Sequence, residues 1–84
     1  MSASDEIRHT ARLLGWEGYE TALREDVFIR GEQRIYVHYG RDGTVIEGRK
    51  VAAQTFRPGS EHLIAVTASR HKKARVLSWL VEAA

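Results

Sequence analysis

Eighty-four residues at 9.5 kDa leave room for one domain, spanning 1–84, and 43% hydrophobic with 29% charged residues is the balance of an ordinary globular chain. There is no cysteine, which excludes disulfides and thiolate metal sites. Residues 1–31 carry four Arg against six acids, a net of −2, and residues 32–84 carry nine Lys or Arg against five acids, a net of +4, giving the +2 of the whole chain. The longest apolar run, Leu63 to Val66, falls far short of the ~20 residues of a membrane-crossing helix. The start, Met1-Ser2-Ala3-Ser4-Asp5-Glu6, lacks the basic beginning and apolar centre of a signal peptide, so a cytoplasmic protein without membrane contact is expected.

The first element reads as a helix over Asp5–Leu14. Ser4 suits the N-cap, Asp5 and Glu6 suit the positive end of the helix dipole, and Gly15 suits the residue after the last turn. Ile7, Thr10, Ala11 and Leu14 recur at helical spacing and point to the core. Trp16-Glu17-Gly18-Tyr19 reads as a connector with its aromatics over the core edge, and 20–24 as a further helical turn. From Asp26 the period changes to two. Asp26–Arg30 and Gln33–Tyr39 are rich in β-branched and aromatic residues, and Gly31-Glu32 between them fits a two-residue hairpin with Gly first. Asp42-Gly43 marks a second turn into a strand over Thr44–Val51.

Residues paired across a hairpin point to the same side of the sheet, so the turns assign faces. Pairing Arg30 with Gln33 and Arg41 with Thr44 puts Phe28, Ile35, Val37, Tyr39 and Ile46 on the core face. The other face then carries Val27, Ile29, Arg34, Tyr36, His38, Val45, Glu47, Arg49 and Val51, with His38 beside Glu47 and Tyr36 beside Arg49. Pro58-Gly59 turns the chain again, His62–Thr67 reads as a fourth strand, and Ser69 can cap a last helix running to about Glu82. In that helix Leu77, Leu80, Val81 and Ala84 form one apolar stripe, and Trp79, near the opposite side, is expected to be buried. The fold class is therefore α+β in the order α-β-β-β-(β)-α. A three- or four-stranded antiparallel meander carries both helices on one face.

No paired His spacing supports a metal, and Gly43-x-x-x-x-Gly48-Arg49-Lys50 misses the ending that a phosphate loop needs, so no cofactor is expected. Two groups of residues carry chemistry. On the mixed sheet face, Tyr36, His38, Glu47 and Arg49 combine a phenol, an imidazole, a carboxylate and a guanidinium, enough for metal-independent phosphodiester cleavage. The same face, with Arg34, Tyr36, His38 and Arg49, equally suits a protein partner, because Tyr and Arg dominate interface hot spots. At the start of the last helix, Arg70, Lys72, Lys73 and Arg75 suit phosphate groups.

The order helix, three antiparallel strands, helix, with Lys72-Lys73-Ala74-Arg75 opening the last helix, resembles the double-stranded-RNA-binding domain. That resemblance implies that these basic residues grip phosphates across a groove. The chain departs from that pattern in its tight Gly31-Glu32 turn and in the added stretch 52–68. A second resemblance covers more of the chain. Ala11–Trp16, Arg24–Gly31 and Lys73–Leu80, with their D-V-x-x-R-G strand and K-x-x-V-L-x-W-L ending, look like small uncharacterised proteins of actinobacterial phages. This implies a phage accessory factor acting on a host component, with no catalytic residues to carry over. The leading expectation is thus a non-enzymatic module that binds a host protein through its sheet face. Nucleic-acid binding through Arg70, Lys72, Lys73 and Arg75 is the alternative, and a ribonuclease the third reading. A homodimer contact through the Val27, Ile29, Val45 and Val51 patch is a further expectation.

Overall fold

The computed structural model describes residues 2–53, 61–67 and 70–82. In chain order the elements are α1 (Ala3–Leu13), β1 (Glu17–Ala22), β2 (Glu25–Arg30), β3 (Gln33–Tyr39), β4 (Val45–Ala52), β5 (His62–Val66) and α2 (Lys72–Glu82). The strands form a single antiparallel sheet in the order β1-β2-β3-β4-β5, each beside its neighbour in sequence. The fold class is α+β as expected, with five strands instead of three or four. The additional strand is β1, where a connector and a helical turn were expected. All six residues of β1 are exposed, so the Glu17–Ala22 stretch offers no alternation of buried and open positions from which a strand can be read. The expected turn at Pro58-Gly59, the Ser69 cap and the Ala84 end of the apolar stripe lie outside the described residues.

α1 begins two residues earlier than Ser4 predicts. Ser2 is the N-cap, accepting from the Asp5 amide at 3.2 Å, while the Asp5 carboxylate reaches back to the Ser2 amide. Ser4 lies inside the helix instead, its amide donating to the Gly43 carbonyl at 3.0 Å, which ties α1 to the β3–β4 turn. At the other end Gly15 adopts φ +83, and the amides of Gly15 and Trp16 donate to the carbonyls of Arg12 and Ala11. This paired closure needs a left-handed residue, which glycine supplies without a Cβ clash.

The β2–β3 hairpin is as expected, with Arg30 opposite Gln33 and Gly31 at φ +61. The β3–β4 turn is one residue longer than expected, a three-residue loop over 41–43 in place of two. The Gly40 amide donates to the Thr44 carbonyl, so Tyr39 lies opposite Val45, and Ile46 is an extra residue in a bulge. The bulge restores the register, bringing His38 opposite Glu47 and Tyr36 opposite Arg49. Ile46 consequently leaves the core face, where it was expected, and is 48% exposed. Val45 takes its place against the core.

Both helices cover one face of the sheet. The core joins Ile7 and Ala11 of α1 and Trp16 to Phe28, Ile35, Val37 and Tyr39 of the sheet, and to Val76, Trp79 and Leu80 of α2. Trp79 is buried as expected, but α2 is rotated from the expected stripe, leaving Val81 58% exposed. Burying the indole removes more apolar surface from water than burying Val81 would. The rotation sets Val76 and Trp79 directly over Gly48 in β4. A Cβ placed on Gly48 would lie 2.8 Å from Cγ2 of Val76 and 3.1 Å from Cγ2 of Thr67. Val76 is β-branched and fully buried, so it has little freedom to rotate away. Gly48→Ala is therefore expected to destabilise the protein by about 1–3 kcal/mol. Equilibrium urea unfolding checks this, and an unchanged midpoint would show that α2 can lift off β4 without cost.

Candidate functional site

The face of the sheet away from the helices is organised by cross-strand register into three rows. Glu17, Ile29, Arg34, Val51 and Leu63 form one, and Tyr19, Val27, Tyr36, Arg49 and Val66 the next. Glu25, His38 and Glu47 form the third. The two pairings expected from the turns, Tyr36 with Arg49 and His38 with Glu47, are both present. Of the apolar patch expected on this face, Val45 points to the core side, and Val27 and Val51 are buried within the chain, at 1% and 5% exposure. The exposed apolar side chains here are Tyr19, Ile46, Leu63 and Val66.

Tyr36 stands at the centre of the face. The Arg49 guanidinium lies over its ring, 5.0 Å from the centroid, in a cation–π contact. The Tyr36 hydroxyl donates to Glu61 Oε1 at 2.7 Å, and Arg34 reaches the same carboxylate oxygen at 3.5 Å. Burial and the hydrogen bond to Glu61 hold the Tyr36 phenol above its ordinary pKa, opposed by Arg34. Arg49 also reaches Glu47 at 3.6 Å. Tyr36, His38, Glu47 and Arg49 line one shallow recess of about 180 Å³ together with Glu25 and Ile46. All four expected partner-binding residues therefore share one surface. Glu61 and Ile46 were not expected there. Glu61 lies 25 positions from Tyr36 in sequence, and Ile46 reaches this side only through the bulge.

The basic start of α2 is divided in two. Lys72 donates to the Ile46 carbonyl at 2.8 Å, and Lys73 pairs with Glu6 of α1 at 3.0 Å. Both amines are thus turned back onto their own chain. Arg70 and Arg75 lie elsewhere, lining a groove of about 400 Å³ between α2 and β5. The four residues expected to act together do not form one surface.

A further polar cluster lies on the helix side. Asp26 of β2, its side chain 4% exposed, accepts from Nε of Arg8 at 2.7 Å and from its second terminal nitrogen at 3.2 Å. Such two-point pairing satisfies a buried carboxylate that would otherwise be costly. The Arg8 guanidinium also lies 5.6 Å from the centroid of the Tyr39 ring. The buried Tyr39 hydroxyl makes no hydrogen bond. Burial, and then the negative charge of Asp26, hold the Tyr39 phenol far above its ordinary pKa. Among the described residues no group of three or more His, Asp or Glu is placed to hold a metal, and no helix is long and apolar enough to cross a membrane.

The chain matches no protein-family model, no curated protein and no solved structure, so the functional reading is carried by the geometry of these side chains. The Tyr39 environment has a direct consequence for stability. A phenol whose folded pKa lies above its unfolded value of about 10 contributes stability that is complete below that pH and is lost as pH rises beyond it. Melting temperature is therefore expected to fall between about pH 9 and pH 11. Tyr39→Phe should shrink that fall, with Tyr36 supplying part of the remainder, and should not weaken the fold at pH 7, since the hydroxyl it removes is buried and unbonded. Thermal melts at both pH values check this. An equal alkaline fall in Tyr39→Phe would show that the hydroxyl ionises without cost.

Proposed function

We propose that this chain is a small, non-enzymatic interaction module that binds a protein partner through the helix-free face of its sheet, with Arg34, Tyr36 and Arg49 as anchors and His38 beside them. The observation that carries this reading is the half-buried Tyr36, stacked with Arg49 at the centre of a sheet whose described helices both lie on the opposite face. A preformed aromatic–guanidinium stack loses little side-chain freedom on binding, and Tyr and Arg are the types on which interfaces concentrate their energy. The resemblance to small actinobacterial phage proteins supports an accessory role in the host cytoplasm, with a host protein as partner.

The same geometry weakens the other readings. For a ribonuclease, His38 or Tyr36 would serve as acid, and of the two the phenol is the poorer donor, its proton shared with Glu61 and held above its ordinary pKa. For a nucleic-acid interface, Lys72 and Lys73 would first have to leave the Ile46 carbonyl and Glu6. To test the proposal, a photo-crosslinking residue at Ile46, exposed beside the face, is compared with one at Leu13, exposed on α1. In actinobacterial lysate, the probe at Ile46 is expected to capture a protein that the probe at Leu13 does not. Adding Tyr36→Ala with Arg49→Ala should cut that capture at least about tenfold while leaving the circular dichroism unchanged. Equal capture by the double variant, or duplex RNA bound in a salt-sensitive way by wild type and not by Lys72→Glu with Lys73→Glu, would overturn the reading.

A further inference from the structure

Among the described residues the sheet has two open edges, and they differ in how each is protected. β1 carries Glu17, Glu20, a glycine and a bulge between Glu20 and Ala22, features that discourage another strand from pairing with an edge. β5 also carries a bulge, at Ile64, but reads His-Leu-Ile-Ala-Val, without an acid, a lysine or a proline. Its Leu63, Ile64 and Val66 are 61%, 55% and 49% exposed. β4 occupies one side of β5, and among the described residues no strand follows on the other. The Thr67 amide donates to Gly48 of β4 at 2.9 Å, and backbone groups alternate in direction along a strand, so the N–H and C=O of Val66 point away from the sheet.

The two sides of this edge are chemically different. Leu63 and Val66 belong to the outer face. Ala65 belongs to the helix side, where the groove between β5 and α2 is lined by Arg70, His71 and Arg75 over Trp79. A strand added to β5 would therefore set alternate side chains against Leu63 and Val66 on one side and against two guanidinium groups on the other.

We infer that β5 is a docking edge for an extended acidic segment of a partner protein, which adds as a sixth strand with its apolar residues on the outer face and its carboxylates toward Arg70 and Arg75. Main-chain hydrogen bonds supply affinity in this mode, and the alternating side chains supply specificity. Charge complementarity selects this occupant over a second copy of the chain. Two β5 edges paired about a two-fold axis bring the arginine-lined grooves of both copies together, and like charges at an interface oppose association. The exposed leucine, isoleucine and valine likewise suit a peptide backbone and not a phosphate chain. The edge and groove are distinct from the Tyr36–Arg49 centre, so this inference stands or falls separately from the sheet-face reading.

Fluorescence anisotropy of the whole protein with two labelled peptides of about nine residues tests it, one alternating Glu with Val and Thr, the other Lys in place of Glu. At about 50 mM salt the wild type is expected to bind the Glu peptide at least about tenfold more tightly than the Lys peptide. Val66→Pro, which removes the outward N–H without breaking a bond to β4, should weaken the Glu peptide by a similar factor. Arg70→Glu with Arg75→Glu should reverse the preference, a gain that a merely unfolded variant cannot produce. The inference is overturned if wild type fails to distinguish the peptides, or if Val66→Pro binds the Glu peptide as well as wild type does. It is also overturned if sedimentation shows self-association abolished by Val66→Pro with no peptide bound, which identifies a second copy. Duplex RNA that binds more tightly than the peptide and ignores Val66→Pro overturns it too. Partner capture at Ile46 is read separately, so either idea can fail without the other.

Discussion

The indole N–H of Trp16 donates to the Leu80 carbonyl at 3.1 Å, in a buried bond between residues 64 positions apart. It joins the end of α1 and the start of β1 to the last turn of α2, whose final carbonyls have no partner within their own helix. The closure after Gly15 aims the indole at that carbonyl, and the core residues of both helices gather around the contact. Without it, α2 would present an unsatisfied carbonyl to a dry core, and α1 would lose its reference to the far end of the chain. The division into a helix-covered face and an open face depends on this joint.

The face without helices is where the proposed contacts lie. A chain of this length buries only about 60–65% of its unfolded surface, so one covered face must supply most of the stability. The Arg8–Asp26 pair extends that covered layer toward β1, holding a buried carboxylate between α1 and β2. On the other side the sheet is held by its own ladders and by contacts such as Tyr36 with Arg49 and Glu61, which lie on the surface and can be exchanged for contacts with a partner.

Much of the central sheet was legible because period-two alternation and turn chemistry act locally. Gly31-Glu32 and Asp42-Gly43 were sufficient to pair Tyr36 with Arg49 and His38 with Glu47. The second success came about through two compensating departures, a turn one residue longer than expected and a bulge at Ile46 that restored the register. β1 was missed because it is exposed along its whole length and leaves no hydrophobic pattern. The rotation of α2 was missed because it depends on the gap over Gly48, a feature of the assembled sheet. The site followed the same rule. Residues on paired strands were brought together as read, whereas Lys72 and Lys73 were diverted to partners, Ile46 and Glu6, that only the tertiary fold supplies.

The meander order also determines how the chain assembles. Every strand pairs with its sequence neighbour, so β1 to β4 can zip through three hairpins with short loops, contacts of low sequence separation that form rapidly. The helix layer has the opposite character, since α1, which meets the sheet through Arg8 and Asp26, completes its packing only when α2, more than sixty residues later, arrives. During synthesis, therefore, α1 and the first four strands emerge while the core around Phe28, Ile35 and Val37 still lacks Val76, Trp79 and Leu80. Completion of α2 is the event that turns a partly ordered sheet into a cooperative domain.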